Sequence, residues 1–173
     1  MKSHYRAVVI GGGVVGASAL YHLAKMGWND VALVEKIEYT SGSTWHAAGL
    51  LPLFNMSYSV GKIHKYSVDL YQSLEEETGQ HVSFHKTGNL RLARNQERMD
   101  EYKRYCGTAS TIGVPFEMIG PSEIKKLWPF AKVDDLVGAL FHPDDGHVAP
   151  VDVTMALLKG ARANGAETYS EVE

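Results

Sequence analysis

Near the amino end, Gly11-Gly12-Gly13-Val14-Val15-Gly16 fits G-x-G-x-x-G. That spacing holds a diphosphate with backbone instead of with charged side chains. Gly11 permits a tight turn, Gly13 lets main chain approach the phosphates, and Gly16 lets a following helix pack against its strand. The N–H groups of Val14 and Val15 open that helix without intrahelical partners and at the positive end of its dipole, so they attract an anion without a lysine. Glu35 stands 19 residues after Gly16. A carboxylate there accepts hydrogen bonds from a ribose 2′-hydroxyl and repels a 2′-phosphate, which selects NAD or FAD over NADP and leaves the choice between those two open.

A second stretch begins with Lys36, directly after the acid, and becomes dense at Gly42, Ser43, Thr44, Trp45, His46, Ala47, Ala48, Gly49 and Leu50. Small side chains let main chain lie against a flat ring. The hydroxyls of Ser43 and Thr44 can donate to phosphate or ribitol oxygens. These properties suit a flavin cradle.

The elements that must position these residues are legible around them. Tyr5 to Ile10 reads as a buried strand, Val14 to Met26 as a helix stopped by Gly27, and Val31 to Val34 as a second strand. This order fits a parallel βαβ crossover of roughly 30 residues. Further on, a helix is expected from about Tyr58 to Glu77, with Gly79 ending it. Strand-like runs follow at Asn89 to Ala93, Val114 to Met118 and Leu136 to His142, separated by helices near Asn95 to Ile112 and Ser122 to Trp128. The βαβ rhythm is gone in that stretch, and it returns with a helix capped by Asp152 and a strand from Ala166 to Val172. The expected class is therefore α/β, a Rossmann-like FAD-binding domain interrupted by the start of an inserted, mostly antiparallel substrate domain. The expected segments are 1–80 for the first part of the cofactor domain, 81–148 for the insertion and 149–173 for the return.

Composition narrows the alternatives. With 45% hydrophobic residues, 21% charged residues and a formal net charge of −3 over 173 residues, the sequence is that of a globular chain. No basic excess suggests nucleic acid, and no apolar run suggests a membrane span. The single cysteine, Cys106, excludes an internal disulfide framework. Glu75, Glu76 and Glu77 point in different helical directions and read as a solvated face. His81 and His85 have no third ligand at metal spacing, so no metal is expected. His142 and His147 flank a Pro-Asp-Asp-Gly turn that can border a cofactor or substrate cavity. Arg91 reads as a surface ion pair, with a substrate carboxylate as its other use. Met1 to Arg6 is too short for a leader before the first strand, so a cytoplasmic location is expected.

The run GSTWHAAGL after a βαβ unit ending in Glu-Lys resembles the flavin-binding region of the dimethylglycine and sarcosine dehydrogenase family, within the D-amino-acid-oxidase-like flavoproteins. The stretches Lys62 to Gly79, Phe84 to Ala93 and Asp144 to Arg162 resemble that family too, so the likeness covers nearly the whole chain. Where relatives often carry aspartate before a proline, this sequence has Ala149. The resemblance implies FAD bonded covalently through His46, and an oxidative demethylation of N-methylated amino acids such as dimethylglycine or sarcosine. It also implies an acceptor that is oxygen or an electron-transfer flavoprotein, and folate in a region beyond this chain. A catalytically silent regulatory protein of the same family is the alternative. By the same resemblance the chain is expected to be an amino-terminal portion, stopping inside a strand, with its catalytic residues outside it.

Overall fold

The apolar run before the glycine loop becomes a strand because its neighbour in space is a second apolar run of equal length, and the helix between them returns the chain in parallel. A computed structural model describes residues Lys2 to Val172. In chain order they form β1 (Ala7–Ile10), α1 (Val14–Lys25), β2 (Val31–Val34), β3 (Leu50–Leu51), α2 (Tyr58–Thr78), β4 (His85–Lys86) and β5 (Asn89–Ala93). Then come α3 (Gln96–Ile112), β6 (Glu117–Ile119), α4 (Pro121–Leu127), β7 (Gly138–His142), β8 (Gly146–His147), α5 (Pro150–Ala163) and β9 (Glu167–Tyr169). They divide into two compact units, one holding residues up to Gly49 with Leu70–Phe84 and everything from Val148, the other Leu50–Asp69 with His85–His147. Residues 50–69, which the sequence reading runs together with the first 49, belong by contact to the second unit, because β3 pairs with β8. Among the described residues no helix is long and apolar enough to cross a membrane.

The first unit is a parallel sheet in the order β1-β2-β9, with Ala7 opposite Val31 and Ala32 opposite Glu167. Helices α1 and α5 pack closely because Gly160 has no side chain. A Cβ there would lie 2.8 Å from the Tyr21 ring. Tyr21, Leu20, Leu33, Leu157 and Leu158 are fully buried in this core. The Tyr21 hydroxyl donates to Glu77 at 2.7 Å, and the Lys25 ammonium reaches the same carboxylate at 2.9 Å. Glu77 is thus a structural acceptor, where the spacing suggested only a solvated face.

The start of α5 also departs from expectation. Pro150 occupies the first helical position with its φ already fixed, so Ala149 is the N-cap and Asp152 falls inside the first turn. Its carboxylate accepts the Ser83 hydroxyl at 3.0 Å instead of capping. Three strands are shorter than the apolar runs that announce them. Val114 donates its N–H to Ala109 in the left-handed turn that closes α3, so β6 cannot begin until Glu117. Leu136 is held in a turn by Val133, and Ala166 donates back to Ala161, which delays β7 and β9.

In the second unit β7 lies between β5 and β6, antiparallel to both, with Arg91 opposite Leu140 and Met118 opposite Leu140 on the other side. One face buries Ile119, Ile124, Ala131 and Ala139 with Leu90 and Phe141 packed against them. Asn95 caps α3, accepting the Arg98 N–H at 2.9 Å. A smaller sheet of two-residue strands, β3-β8-β4, places Leu50 and His85 on either side of His147.

Candidate functional site

The glycine loop and the turns after β2 are strapped to one another within the first unit. Gly12 N–H donates to Glu35 Oε2 at 2.6 Å, and Ile37 N–H donates to Oε1 at 3.1 Å. Thr40 N–H donates to Gly12 O at 3.1 Å, and Val14 N–H donates to Thr44 Oγ1 at 3.0 Å. The Gly12 amide, with that of Ile37 behind it, holds the Glu35 carboxyl below the usual carboxylate range. Each oxygen keeps a further lone pair for a ligand hydroxyl.

A cavity of about 450 Å³ opens against this loop. Gly11, Gly13, Val14, Val15 and Gly16 line it from one side, and Glu35, Gly42, Ser43 and Thr44 from the other. A second cavity of about 220 Å³ shares Gly11 and Glu35 and adds Lys36. Trp45, His46, Ala47, Ala48, Gly49 and Leu50 are on the wall of neither. Gly16 is required here because a Cβ would lie 2.0 Å from Gly11 O. Helix α1 has no acidic residue in its first turn and no side-chain cap from Gly13, so its positive end is neutralised by nothing on the helix. The glycine motif alone assigns both the Val14 and Val15 amides to phosphate. The structure commits Val14 N–H to Thr44 Oγ1, which leaves the Thr44 O–H free to donate onward.

Gly12, Tyr39 and Thr40 went unassigned in the sequence. A Cβ on Gly12 would meet the Tyr39 ring at 2.7 Å. Thr40 has a left-handed backbone (φ 70°) and is buried. The run Gly11-Gly12-Gly13 was the available signal for the first, and nothing in the sequence marks the other two.

His46 Nδ1 lies 3.1 Å from the Gly42 carbonyl oxygen, which can only accept. The proton is therefore on Nδ1, and Nε2 carries the free lone pair. The Trp45 and His46 rings lie 4.0 Å apart and tilted by 40°. Gly49, at φ 72°, returns its carbonyl to Val148 N–H at 3.0 Å.

The other candidates are placed elsewhere. His81 Nδ1 meets Glu75 at 2.8 Å, and His85 stacks on His147 with ring centroids 5.0 Å apart. Among the described residues no group of three or more His, Cys, Asp or Glu side chains could hold a metal ion. Arg91 makes no surface ion pair among the described residues. Its guanidinium lies 4.1 Å over the Phe54 ring with Nε buried. His142 is wholly buried, and burial followed by the Arg91 charge pushes its pKa down to about 4.

The sequence profile of the FAD dependent oxidoreductase family, DAO, matches residues 6–173. Mitochondrial dimethylglycine dehydrogenase of Rattus norvegicus is 47% identical over 164 residues, which is 95% of this chain and 19% of that protein. The mitochondrial pyruvate dehydrogenase phosphatase regulatory subunit of Mus musculus is 40% identical over 169 residues, 98% of this chain and 19% of its own length. Among solved structures, L-proline dehydrogenase from P. horikoshii superposes with a TM-score of 0.91 at 31% identity, over 100% of this chain and 46% of that one. The chain thus spans about a fifth of the length of the curated relatives it matches. The strapped glycine loop, the parallel β1-β2-β9 sheet and the profile match agree: this chain belongs to the FAD-dependent oxidoreductase family.

Proposed function

We propose that this chain is the amino-terminal part of a FAD-dependent amine oxidoreductase acting on N-methylated amino acids such as dimethylglycine or sarcosine. The observation that carries the reading is the 47% identity to a dimethylglycine dehydrogenase over 164 residues, 95% of this chain. The residues present fit the group. Val15 and Gly16 amides at the open end of α1 bind the diphosphate, and Thr44, its oxygen occupied by Val14 N–H, turns its own proton to a phosphate oxygen. Glu35, ionised and held by two amides, accepts the ribose hydroxyls. The small residues from Gly42 to Leu50 give the ring room.

His46 is the attachment point in this proposal. Gly42 O fixes its tautomer, so Nε2 would be the nitrogen that offers a lone pair to the flavin. Bound FAD supplies acceptance of a hydride equivalent from the N-methyl or α carbon of the amine. The resulting substrate iminium is hydrolysed to formaldehyde, or its carbon is trapped by folate in a region beyond this chain. Electrons leave to oxygen or to an electron-transfer flavoprotein. No side chain of residues 2–172 is assigned to the amine.

The test uses the full-length protein. Acid precipitation leaves yellow colour on the peptide containing His46, H46A releases the flavin, and dimethylglycine or sarcosine bleaches the native protein. A colourless acid pellet refutes the covalent bond. A flavin that neither amine bleaches refutes the substrate class, and it favours the second reading, a silent regulator, which the 40% identity to a phosphatase regulatory subunit supports.

A further inference from the structure

Gly12 is the first free position of G-x-G-x-x-G, where the motif asks for no particular side chain. In the fold only glycine fits there. A Cβ on it would lie 2.7 Å from the Tyr39 ring, 3.0 Å from Glu35 Cβ and 3.1 Å from Glu35 Cγ. Of the six residues from Gly11 to Gly16 it is the one missing from the cavity wall. Both of its backbone groups turn to the segment after β2 instead: its N–H donates to Glu35 Oε2 at 2.6 Å, and its carbonyl accepts Thr40 N–H at 3.1 Å. The back of the loop is thus seated against a ring, a carboxylate and an amide, all from residues 35–40.

That segment is itself anchored. Val172 N–H donates to Glu35 O at 3.0 Å and Glu171 N–H to Ile37 O at 3.1 Å, which ties it to the chain leaving β9. At its end Thr40 is buried at φ 70°, a left-handed conformation that a β-branched residue adopts only where its surroundings impose it. The turn there brings two consecutive groups, the Tyr39 ring and the Thr40 N–H, onto the same glycine. All of these residues belong to the first unit, as do the walls of both cavities.

We propose that Tyr39 is a positioning residue for the cofactor: its ring, presented by the left-handed turn at Thr40, seats Gly12 and so fixes Gly11 and Gly13, on either side of it, against the cavity that takes the diphosphate. The proposal rests on the FAD reading above. Tyr39 lies on the wall of neither cavity, so it acts through the loop alone. A loop already held in its binding conformation loses less entropy when the diphosphate arrives, and that difference is what the ring contributes.

The experiment uses the full-length protein carrying H46A, in which the flavin exchanges freely; it is stripped of FAD and titrated calorimetrically with FAD and with ADP. ADP carries the same diphosphate and ribose without the flavin ring. Tyr39→Ala weakens both ligands by the same factor, about tenfold, and Tyr39→Phe, which keeps the ring, binds both as the parent does. Gly12→Ala weakens both further. The double variant binds no worse than Gly12→Ala alone, because the ring that the new methyl would strike is gone. Tyr39→Leu, intermediate in effect, decides the matter if Tyr39→Ala does not fold. Affinities of Tyr39→Ala within about twofold of the parent, a loss confined to FAD, or additive losses in the double variant overturn the proposal. A parent that binds ADP but not FAD overturns the flavin reading alone, and the ADP titrations then decide the role of Tyr39. A parent that binds neither overturns both.

Discussion

Two buried groups of opposite type, three residues apart, are expected to hide each other's pH dependence, and substituting one exposes the other. Burial pushes the Asp145 carboxyl up from 3.8 to about 6, against the Leu53 N–H and the Arg91 charge, and pushes the His142 imidazole down from 6.5 to about 4. From roughly pH 4 to 6 the folded chain carries one proton on Asp145 and none on His142. The unfolded chain carries one on the imidazole and none on the carboxylate. Both states bind one proton, so the pair contributes no slope to stability in that window. Separately, each contributes a large one. The Asp145 contribution is fully present below its unfolded value of 3.8 and is lost as pH rises through about 6. The His142 contribution is fully present above 6.5 and is lost as pH falls through about 4. Each is worth about 3 kcal/mol, because every tenfold change in proton affinity between the folded and unfolded chain is about 1.4 kcal/mol. The perturbation is D145N, which keeps shape and acceptor and removes the titration, and the assay is urea unfolding followed by tryptophan fluorescence from pH 4 to 7.5. Other carboxylates tilt both curves alike, so the difference is the readout. Relative to wild type, D145N should lose about 3 kcal/mol more at pH 4 than at pH 7, and H142Q should show the opposite slope. A D145N difference that is flat across the range means that the carboxylate stays ionised throughout, and it refutes the proposed cancellation.

Contacts in the first unit set three further outcomes. Gly160→Ala places a methyl 2.8 Å from the Tyr21 ring and should cost about 1–3 kcal/mol by thermal unfolding, without altering flavin affinity if the sheet is undisturbed. Thr44→Val removes the oxygen that accepts Val14 N–H, so it should lower stability by about 1 kcal/mol and raise the Kd for FAD. Thr44→Ser should recover both, the first in thermal unfolding and the second in a calorimetric titration. Glu35→Gln has one acceptor oxygen where the carboxylate has two, so it keeps only one of the bonds to Gly12 and Ile37 and loses the charge, and a fluorescence titration should show weaker binding of unphosphorylated ribose and relaxed exclusion of a 2′-phosphate. An unchanged preference between the two sugars would refute the role given to that carboxylate.

The extent to which the sequence displays this fold depends on the length of each element. The first βαβ unit is legible because each part has its own local signal: an apolar run, a glycine turn and a helical period ended by Gly27. Helix α3 lies close to its expected place near Asn95 to Ile112, and the structure shows why: Asn95 caps it and Gly113 stops it with a left-handed φ of 81°. Strands β3, β4 and β8 are two residues each, too short for any alternation to show, and they exist only because each finds a partner far along the chain. Asp152 misled for a related reason. A capping residue competes with a proline two positions earlier, and the proline, whose φ is fixed before folding, sets the start of α5.

The site divides along the same line. Gly11, Gly13, Gly16 and Glu35 act through backbone freedom and a fixed offset, both of which are properties of the written order. The strap that closes the loop joins Val14 to Thr44, and the hydrogen bonds on Leu53 join residues 53, 105 and 145, separations at which spacing has no meaning. Arg91 shows the consequence most plainly. In the sequence it is a cation on a strand, and the bland reading of such a residue is a surface ion pair. In the fold its guanidinium lies on an aromatic ring with a buried nitrogen unpaired, lowering the basicity of one neighbour and the pKa of another. Its charge is thus an internal field acting on His142 and Asp145. A neutral isostere such as Arg91→Met should therefore raise both groups' pKa values together, a change that no local contact of either residue could produce alone.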